Sequence, residues 1–205
     1  MEVYALPYDP RRPQVCLDER PCQLLSDSRP EVPMKAGQPA RYDYEYVREG
    51  TCNLFMAFQP LTGWRQATVT AHRTKIDFAE WLRDLVDRQF SDADKICLVL
   101  DNLNIHSPAS LYAAFAPAEA CRLLHKLEFH YSPKHGSWLN MVEIELSVLV
   151  RQCLRQRIPD MTTLQNTVTA WQNQRNAQRA TVHWQFSVEK VRTKLSRLYP
   201  LFPVR

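Results

Sequence analysis

The sequence predicts a mixed α/β fold with a strand-rich first third and a helical C-terminal part. Up to residue 70, apolar residues alternate with polar ones or form short runs bounded by prolines and glycines, which is typical of strands. From Thr74 onward they recur at helical spacing, interrupted by the continuous apolar run of 96–100. With 205 residues, the chain is long enough for one sizeable core, and a single domain over 1–205 is expected.

The first strand is predicted over 14–18, a short apolar run that stops at the acidic pair Asp18-Glu19. Residues 20–40 hold several prolines and a glycine without sustained periodicity, so they are predicted as a loop. The first acidic pair therefore stands at the predicted end of a buried strand.

A hairpin is predicted next. Tyrosines within 42–46 alternate with charged residues, Gly50 breaks this pattern, and an apolar strand resumes over 53–58. A further strand is expected over 64–69, after a turn at Gly63.

The middle of the chain alternates between helices and short strands. A helix is predicted over 75–89, and the apolar run of 96–100 is predicted as the central strand, buried on both faces. Residues 108–126 are predicted as one or two helices broken near Pro117, and 127–131 as another short strand.

The last third is predicted to be helical. Apolar residues share one helical face within 139–156, within 161–171 and within 188–198, and a short extended piece is expected around 182–186. Residues 157–205 are therefore expected to form a basic helical extension at the C-terminus.

Composition favours a soluble protein without a membrane segment. Hydrophobic residues make up 45% of the chain and charged residues 23%, which is ordinary for a globular protein. The apolar runs are far shorter than the ~20 residues that a membrane-spanning helix needs. The N-terminus has neither a basic start nor a long apolar stretch, so no secretory signal is visible and the cytoplasm is the expected compartment.

The 6 cysteines are scattered without a C-x-x-C pair, and several lie within apolar runs. Reduced and mostly buried thiols are therefore expected. A zinc site would need paired Cys or His ligands at short spacing, and none of the 6 histidines supplies them. No structural zinc site is predicted.

Positive charge is concentrated near the C-terminus. Residues 1–150 hold 16 Lys and Arg against 20 Asp and Glu, whereas residues 151–205 hold 10 against 2. This asymmetry suits a polyanionic partner such as nucleic acid. A solvated helical surface explains the same pattern equally well.

Several classes of enzyme are disfavoured. The 4 glycines lie far apart, so neither a P-loop nor a dinucleotide-binding fingerprint can be written on the chain. There is no G-x-S-x-G motif, and spacing assigns no base to Ser137. Nucleotide cofactors and serine hydrolase chemistry are therefore unsupported.

Three carboxylates at predicted element boundaries are the remaining candidates for chemistry. Asp18 and Asp101 each close a buried strand, where open α/β sheets place functional groups, and Glu143 lies near the start of a helix. If these carboxylates meet at one edge of the sheet, their like charges raise one another's pKa values, and a divalent cation relieves that repulsion. Oxygen-only ligands suit Mg²⁺ or Mn²⁺, and two such ions can support in-line phosphoryl transfer.

Each acid also has an ordinary structural interpretation. Asp18 and Asp101 could end strands through local hydrogen bonds, since Asp favours such positions, and Glu143 could be a solvated helical residue. Spacing alone leaves the two interpretations open.

Three stretches carry a family resemblance: Cys16-Leu-Asp-Glu19, Leu100-Asp-Asn-Leu-Asn-Ile-His106 and Tyr131-Ser-Pro-Lys-His-Gly-Ser-Trp-Leu-Asn-Met-Val-Glu143. Together they resemble the DDE endonuclease domain of bacterial insertion-sequence transposases in the mariner-like superfamily. The resemblance runs from about Pro7 through Leu198 and includes 53–58 and Arg175-Asn176.

The resemblance implies a ribonuclease-H-like fold, a mixed sheet flanked by helices with extra C-terminal helices. It also implies that Asp18 ends the first strand, that Asp101 ends the fourth, and that Glu143 lies on a later helix. These three would be both catalytic residues and metal ligands, holding two Mg²⁺ ions for which Mn²⁺ can substitute. Met141 replaces the proline of the family's L-N-P-I-E segment, and Glu19 and Glu145 remain the alternative acids.

The resemblance suggests supporting roles for further residues. His106 is expected beside the metal ligands or at a phosphate, although a core histidine is nearly as plausible, and Asn102 is expected to orient Asp101 or to complete a turn. Trp138 could contact DNA or belong to the core. The candidate DNA contacts are Lys134, His135, Arg151, Arg155, Arg157, Arg175 and Arg179.

The implied activity is cleavage of DNA at transposon ends followed by strand transfer into target DNA. The expected partners are double-stranded DNA and further copies of the chain in an oligomer on that DNA. No N-terminal helix-turn-helix module is expected in this chain, so terminal repeats would be recognised by a separate subunit or a frameshift fusion. The alternatives are an inactive or accessory DNA-binding remnant of a transposase and a stand-alone nuclease of the same fold.

Overall fold

A five-stranded mixed sheet forms the centre of the computed structural model, which describes residues 2–41, 43–134, 136–182, 184 and 187–196. The strands are β1 (Gln14–Asp27), β2 (Tyr46–Gln59), β3 (Trp64–Thr70), β4 (Ile96–Leu100) and β5 (Leu127–Tyr131). They are arranged in the order β3-β2-β1-β4-β5. β2 is antiparallel to β1 and β3, whereas β4 is parallel to β1 and β5. The predicted mixed α/β class is confirmed.

Helices lie on both sides of this sheet. They are α1 (Lys75–Asp84), α2 (Ala109–Ala114), α3 (Pro117–Lys126), α4 (Val142–Gln152), α5 (Met161–Ala177) and α6 (Val188–Leu195). A π-helical turn, Leu85–Gln89, continues α1, and short 3₁₀ turns span Glu2–Ala5 and Ser137–Leu139. Among the described residues, no helix has the length and apolar character needed to cross a bilayer.

Alternation along the strands divides the apolar side chains between two cores. On one face, Leu17 and Leu98 are fully buried against α1, α2 and α3. On the other, Cys16 and Met56 are fully buried against α4 and α5. The sheet is therefore the middle layer of three, and consecutive residues of a strand face different helices.

β1 is much longer than predicted. It continues through Asp18 to Asp27, and beyond Cys16 it pairs with β2 alone. The prediction of a loop over 20–40 is therefore wrong for its first part. Pro21 lies within the strand, and its missing N–H is tolerated there because this stretch of β1 has one unpaired edge.

The hairpin predicted from the tyrosine pattern is wrong as well, because β2 is one continuous strand. Gly50 lies opposite Leu24, where the register of the β1–β2 ladder shifts between Leu24 and Leu25. Its φ of 136° favours glycine, and such residues form β-bulges rather than ending strands. The glycine that was expected to turn the chain bends a long ribbon instead.

α5 lies along the outer edge of β3 and provides hydrogen-bond acceptors for that strand. Its side-chain amides accept from backbone N–H groups at alternate positions: Gln165 Oε1 from Val69 at 2.8 Å, Gln172 Oε1 from Ala67 at 2.7 Å and Asn176 Oδ1 from Arg65 at 2.9 Å. Buried N–H groups without a partner are destabilising, so these amides complete the hydrogen bonding of β3.

The short strands and the first helices agree with the sequence prediction. The strands predicted over 64–69, 96–100 and 127–131 are all present, and α1 with its π-helical turn covers the predicted 75–89. The region 108–126 forms two helices, and Pro117 occupies the first turn of the second, where its missing N–H has no helical partner to lose.

The later helices are confirmed in type but differ in their ends. The helix predicted over 139–156 is shorter, because a 3₁₀ turn precedes it, and it spans Val142–Gln152. The final helix, predicted over 188–198, is described as far as Leu195. Its predicted end, most of the extended piece predicted around 182–186 and Tyr42 of the predicted hairpin lie outside the described residues.

Candidate active site

The parallel pairing of β1 with β4 places Asp18 beside Asp101. Cys16 lies opposite Val99 in this register, and two further residues along each strand lead to the two aspartates. Asp101 directly follows β4, as expected, whereas Asp18 lies inside β1, so the prediction that it ends the first strand is wrong. The pairing with β4, rather than the strand itself, ends just before Asp18. Both carboxylates therefore lie at the carboxyl end of the parallel pair.

Glu143 reaches the same place from the first turn of α4. The fully buried Asn140 positions this turn: its Nδ2 donates to the carbonyl oxygen of Leu17 at 2.7 Å, and its own carbonyl accepts from Glu143 N at 3.1 Å. The start of α4 is thus fixed against the strand residue that precedes Asp18. All three acids line one open cleft of about 390 Å³.

Asp18 lies in an unfavourable environment for a negative charge. Burial raises its pKa to about 7, and the nearby charges of Glu19, Asp101 and Glu143 act in the same direction. Across the described part of the chain, neither Asp18 nor Glu143 forms an ion pair with Arg or Lys. The oxygens of Asp18, Asp101 and Glu143 line one cleft but do not all lie within 4.8 Å of one another, so rotation of their side chains would have to bring them around a hard divalent cation such as Mg²⁺ or Mn²⁺.

His106 joins Asp101 to Glu19. Its Nδ1 lies 2.7 Å from Asp101 Oδ1 and its Nε2 lies 2.6 Å from Glu19 Oε1. The imidazole is buried, and its centroid lies 4.8 Å from that of the Phe78 ring. Burial alone lowers the pKa of His106, but its hydrogen bonds to Asp101 and Glu19 raise the pKa to about 9. The same contact lowers the pKa of Asp101.

These contacts decide between the two interpretations of His106. They also exclude Glu19 as the third acid. A fully buried imidazole that is bonded to two carboxylates cannot reach a phosphate, so His106 supports Asp101 from behind. Glu19 follows Asp18 in the strand and therefore points to the other face of the sheet, where its carboxylate accepts from His106.

Asn102 does not orient Asp101. Its Nδ2 donates to the carbonyl oxygen of Ser132 at 2.7 Å, which joins the loops that follow β4 and β5. Asp101 is held locally by the backbone N–H of Leu103, which donates to Oδ1 at 2.9 Å. Asn102 therefore completes the turn structure, the second of its two expected roles.

Glu145 lies in a buried ion cluster away from the cleft. Arg175 donates to both of its carboxylate oxygens, at 2.7 and 3.0 Å. Arg65 Nε lies 2.9 Å from Glu145 Oε2 without a well-directed hydrogen bond, and its side chain is fully buried. Two arginines therefore neutralise Glu145, which leaves Glu143 as the glutamate that faces the two aspartates.

Arg157, Arg175 and Arg179 are not placed as expected for DNA contacts. Arg157 donates to Asp27 Oδ1 at 2.6 Å and to the backbone carbonyls of 43–45, so it holds the loop between β1 and β2. Arg175 is paired with Glu145, as described above. Arg179 packs against the turn between β2 and β3, at the end of the sheet opposite the acids.

The remaining candidate DNA contacts differ in whether they line the cleft. Arg151 is exposed and lines the cleft together with Asp18, Asp101 and Glu143. Arg155 and Lys134 are exposed, on the segment after α4 and in the loop after β5, respectively. His135 lies outside the described residues.

Arg20, Ser137 and Ser147 also line the cleft and were not predicted from the sequence. Arg20 could have been found, because it follows Asp18 by two residues and so shares its face once the strand is known to continue. The two serines carry no comparable signal.

Trp138 belongs to a small core rather than to the cleft. It packs against a cluster formed by Leu139 and two residues of α6, Val191 and Leu195, and Lys194 Nζ lies 4.5 Å from the centroid of its ring. The predicted core role of this tryptophan is the one that the structure supports.

The fold of the chain is similar to that of known structures. The chain is similar to three structures titled "Mos1 transposase paired-end complex with left transposon end", "Crystal structure of the Mos1 mariner paired end complex with Mn" and "Crystal structure of the Mos1 Strand Transfer Complex". The TM-scores are 0.54, 0.53 and 0.50 at 15%, 15% and 16% identity. The similarity covers 80%, 87% and 80% of this chain, but 48%, 54% and 48% of the other chains. The predicted ribonuclease-H-like fold is confirmed, and the chain spans about half the length of these proteins.

No curated protein sequence shows significant similarity to the chain. A family model described as DDE superfamily endonuclease matches residues 13–165, which contain all three acids of the cleft. Because this match covers most of the chain, the protein belongs to the DDE superfamily of endonucleases.

Proposed function

We propose that the chain is the catalytic domain of a transposase, which cuts DNA phosphodiesters at transposon ends and transfers the freed 3′ ends into target DNA. The observation that carries this proposal is the convergence of Asp18, Asp101 and Glu143 on one open cleft. Membership of the DDE superfamily and the similarity to the Mos1 transposase complexes support it.

Asp18, Asp101 and Glu143 would hold divalent metal, with Mg²⁺ as the physiological ion, Mn²⁺ as a substitute, and two ions as the expected number. One similar structure is titled as a complex with Mn, which is consistent with this assignment. Bound metal supplies charge neutralisation at the scissile phosphate and activation of the attacking oxygen. The protein contributes the arrangement of the three carboxylates, and His106 holds the Asp101 side chain in place.

Double-stranded DNA is the proposed substrate and partner. Arg20 and Arg151 lie in the cleft with the acids, which supports a role for both in contacting DNA phosphates. We further propose that 1–205 forms one catalytic domain with a basic helical C-terminal part. It would act in the cytoplasm as a homo-oligomer on DNA, and a separate helix-turn-helix subunit or fusion would recognise the terminal repeats.

The test is Mg²⁺-dependent nicking of a plasmid that carries the DNA flanking the gene, followed by joining of the cut 3′ ends to a second plasmid. Asp101→Ala should abolish nicking while DNA binding stays near the unmutated level. Asp94→Asn is the matched control, because Asp94 is an exposed acid paired with Arg11 and should behave like the unmutated protein.

The alternatives give different results in the same assay. Binding without nicking by the unmutated protein would indicate a DNA-binding remnant, and nicking without joining would indicate a stand-alone nuclease. Nicking that survives Asp101→Ala would overturn the assignment of the three acids.

A further inference from the structure

A second group of metal-ligating side chains lies on β4 and β5, on residues that the acidic cleft does not use. The parallel register places Cys97 opposite Glu128 and Val99 opposite His130. Because side chains alternate along strands, Cys97, Glu128 and His130 all project from the same face of the sheet. One ligand atom from each lies within 4.8 Å of the others.

Glu128 already contacts the other two ligand side chains. Cys97 Sγ lies 3.9 Å from Glu128 Oε2, and Glu128 Oε1 lies 2.7 Å from His130 Nε2. Cys97 is buried on the strand, whereas the side chains of Glu128 and His130 are each about one-third exposed. The sulfur is therefore fixed, and the carboxylate and imidazole can adjust their rotamers around it.

The guanidinium of Arg12 lies against this group, where a bound metal ion would lie. Arg12 Nε donates to Cys97 Sγ at 3.3 Å, and an Arg12 terminal nitrogen donates to Glu128 Oε2 at 2.5 Å. The Arg12 side chain is 48% exposed and precedes β1. It can therefore turn into solvent without opening the core.

We propose that Cys97, Glu128 and His130 form a second cation site, which binds a thiolate-seeking divalent ion such as Zn²⁺ in place of the Arg12 guanidinium. On binding, the Cys97 thiol releases its proton to solvent as the metal–sulfur bond forms, and water fills the fourth position. Zinc bonds of about 2.0 to 2.3 Å separate neighbouring ligand atoms by roughly 3.5 Å, which small rotamer changes can achieve here.

The two sites differ in ligand chemistry. Three carboxylates suit Mg²⁺ and Mn²⁺, whereas sulfur and imidazole suit Zn²⁺ and Co²⁺. Zinc was not expected from the sequence, because Cys97 lies more than thirty residues from its partners along the chain and only the pairing of β4 with β5 unites them. The proposal is independent of the activity assigned to the acidic cleft.

Titration of the whole chain with Co²⁺ tests the proposal, in excess Mg²⁺ so that the acidic cleft is saturated. A thiolate-to-cobalt charge-transfer band should appear in the near ultraviolet and disappear when Zn²⁺ displaces Co²⁺. Cys97→Ser should abolish the band, and His130→Gln, at a more exposed position, should weaken binding without unfolding the protein. Cys121→Ser is the matched control and should leave the band unchanged.

Arg12→Ala distinguishes a metal site from a purely structural ion pair. Removal of the competing cation should tighten Co²⁺ binding by about tenfold or more, the scale of one charge-assisted hydrogen bond. Three results would overturn the proposal: no band in the unmutated protein, a band that survives Cys97→Ser in a protein folded by circular dichroism, or weaker binding in Arg12→Ala.

Discussion

Asp101 and His106 are joined by a 2.7 Å contact between Oδ1 and Nδ1, and the far side of the imidazole is held by Glu19. Glu19, which follows the proposed metal ligand Asp18, thus serves the site indirectly by fixing a histidine on the opposite face of the sheet. Carboxylates that bind metal work best when a second layer of hydrogen bonds holds their orientation.

We predict that His106→Asn lowers activity by about 10- to 100-fold, the usual effect of losing a residue that supports a metal ligand. Asp101 would keep its backbone contact with Leu103 but lose its main side-chain partner. Nicking rates measured over a range of Mg²⁺ concentrations should therefore show a higher Mg²⁺ requirement. His125→Gln, on the exposed end of α3, is the control, and an unchanged Mg²⁺ requirement in His106→Asn would contradict a supporting role.

The metal-free protein should lose stability as the pH rises from about 4 to about 7. The pKa of Asp18 is raised to about 7 in the folded state, so the folded protein holds this proton more tightly than the unfolded chain does. Thermal unfolding should show a falling Tm across this window, and Asp18→Asn should flatten it. Mg²⁺ should raise the Tm at pH 8 and have little effect at pH 5, where Asp18 is protonated.

His106 should add a second loss of stability at higher pH. Its pKa is about 9 in the folded state, above the ordinary histidine value of about 6.5, so its contribution is complete below the lower value and disappears as the pH passes the upper one. In the Asp18→Asn protein, the Tm measured between pH 6 and pH 10 should show only the loss of stability that His106 causes. Its persistence in His106→Asn would show that another group causes it.

Two glutamates separated by one residue should give opposite phenotypes. Glu143→Gln should abolish nicking with little effect on stability, because Glu143 is an exposed side chain in the cleft. Glu145→Gln should lower the free energy of unfolding by about 3–5 kcal/mol, because Arg65 and Arg175 would lose their buried counter-ion. Urea denaturation and nicking assays on both variants make the comparison, and a stable Glu145→Gln protein would argue against a structural role.

Variants of two arginines should distinguish a residue that contacts DNA from one that packs a loop. Arg151→Ala should weaken DNA binding and reduce the slope of log affinity against log salt by about 1, as expected for one lost phosphate contact. Arg157→Ala should leave that slope unchanged, because Arg157 is engaged by Asp27 and by the backbone of the loop between β1 and β2. Equal slopes for Arg151→Ala and the unmutated protein would exclude Arg151 from the interface.

Gly63 should not tolerate a side chain. Its φ is 71°, and a Cβ there would lie 2.5 Å from the backbone carbonyl carbon of Arg179. Gly63→Ala should therefore cost more stability than Gly37→Ala, which has a similar φ of 75° but nothing within 4 Å of the added methyl group. Backbone strain accounts for about 1–3 kcal/mol in both variants, and any larger loss in Gly63→Ala measures the clash.

The short buried strands could be predicted because their signal is local, whereas spacing alone left the role of the three acids open and the family resemblance singled them out. The run of 96–100 ends at Asp101 in the structure as predicted, and Glu143 lies in the first turn of its helix. The long ribbon of β1 and β2 could not be predicted in the same way. Whether Pro21 and Gly50 break a strand depends on which edges are paired and where the register shifts, and both are tertiary properties.

Roles that depend on partners far away in the sequence could not be predicted either. Arg175 resembled a phosphate contact in sequence, but 30 residues separate it from Glu145, the carboxylate that neutralises it. His106 and Glu19 are 87 residues apart, and no local pattern connects them. Spacing along the chain predicts elements, whereas the sheet order decides which charged groups meet.

The three amides that α5 extends to β3 have a consequence for how copies of this chain can meet. An edge strand with free N–H groups is a template for another strand, and unprotected edges lead to aggregation. Gln165, Gln172 and Asn176 occupy that template along β3. A second molecule therefore cannot extend the sheet through β3, which closes one route by which copies of the chain could aggregate.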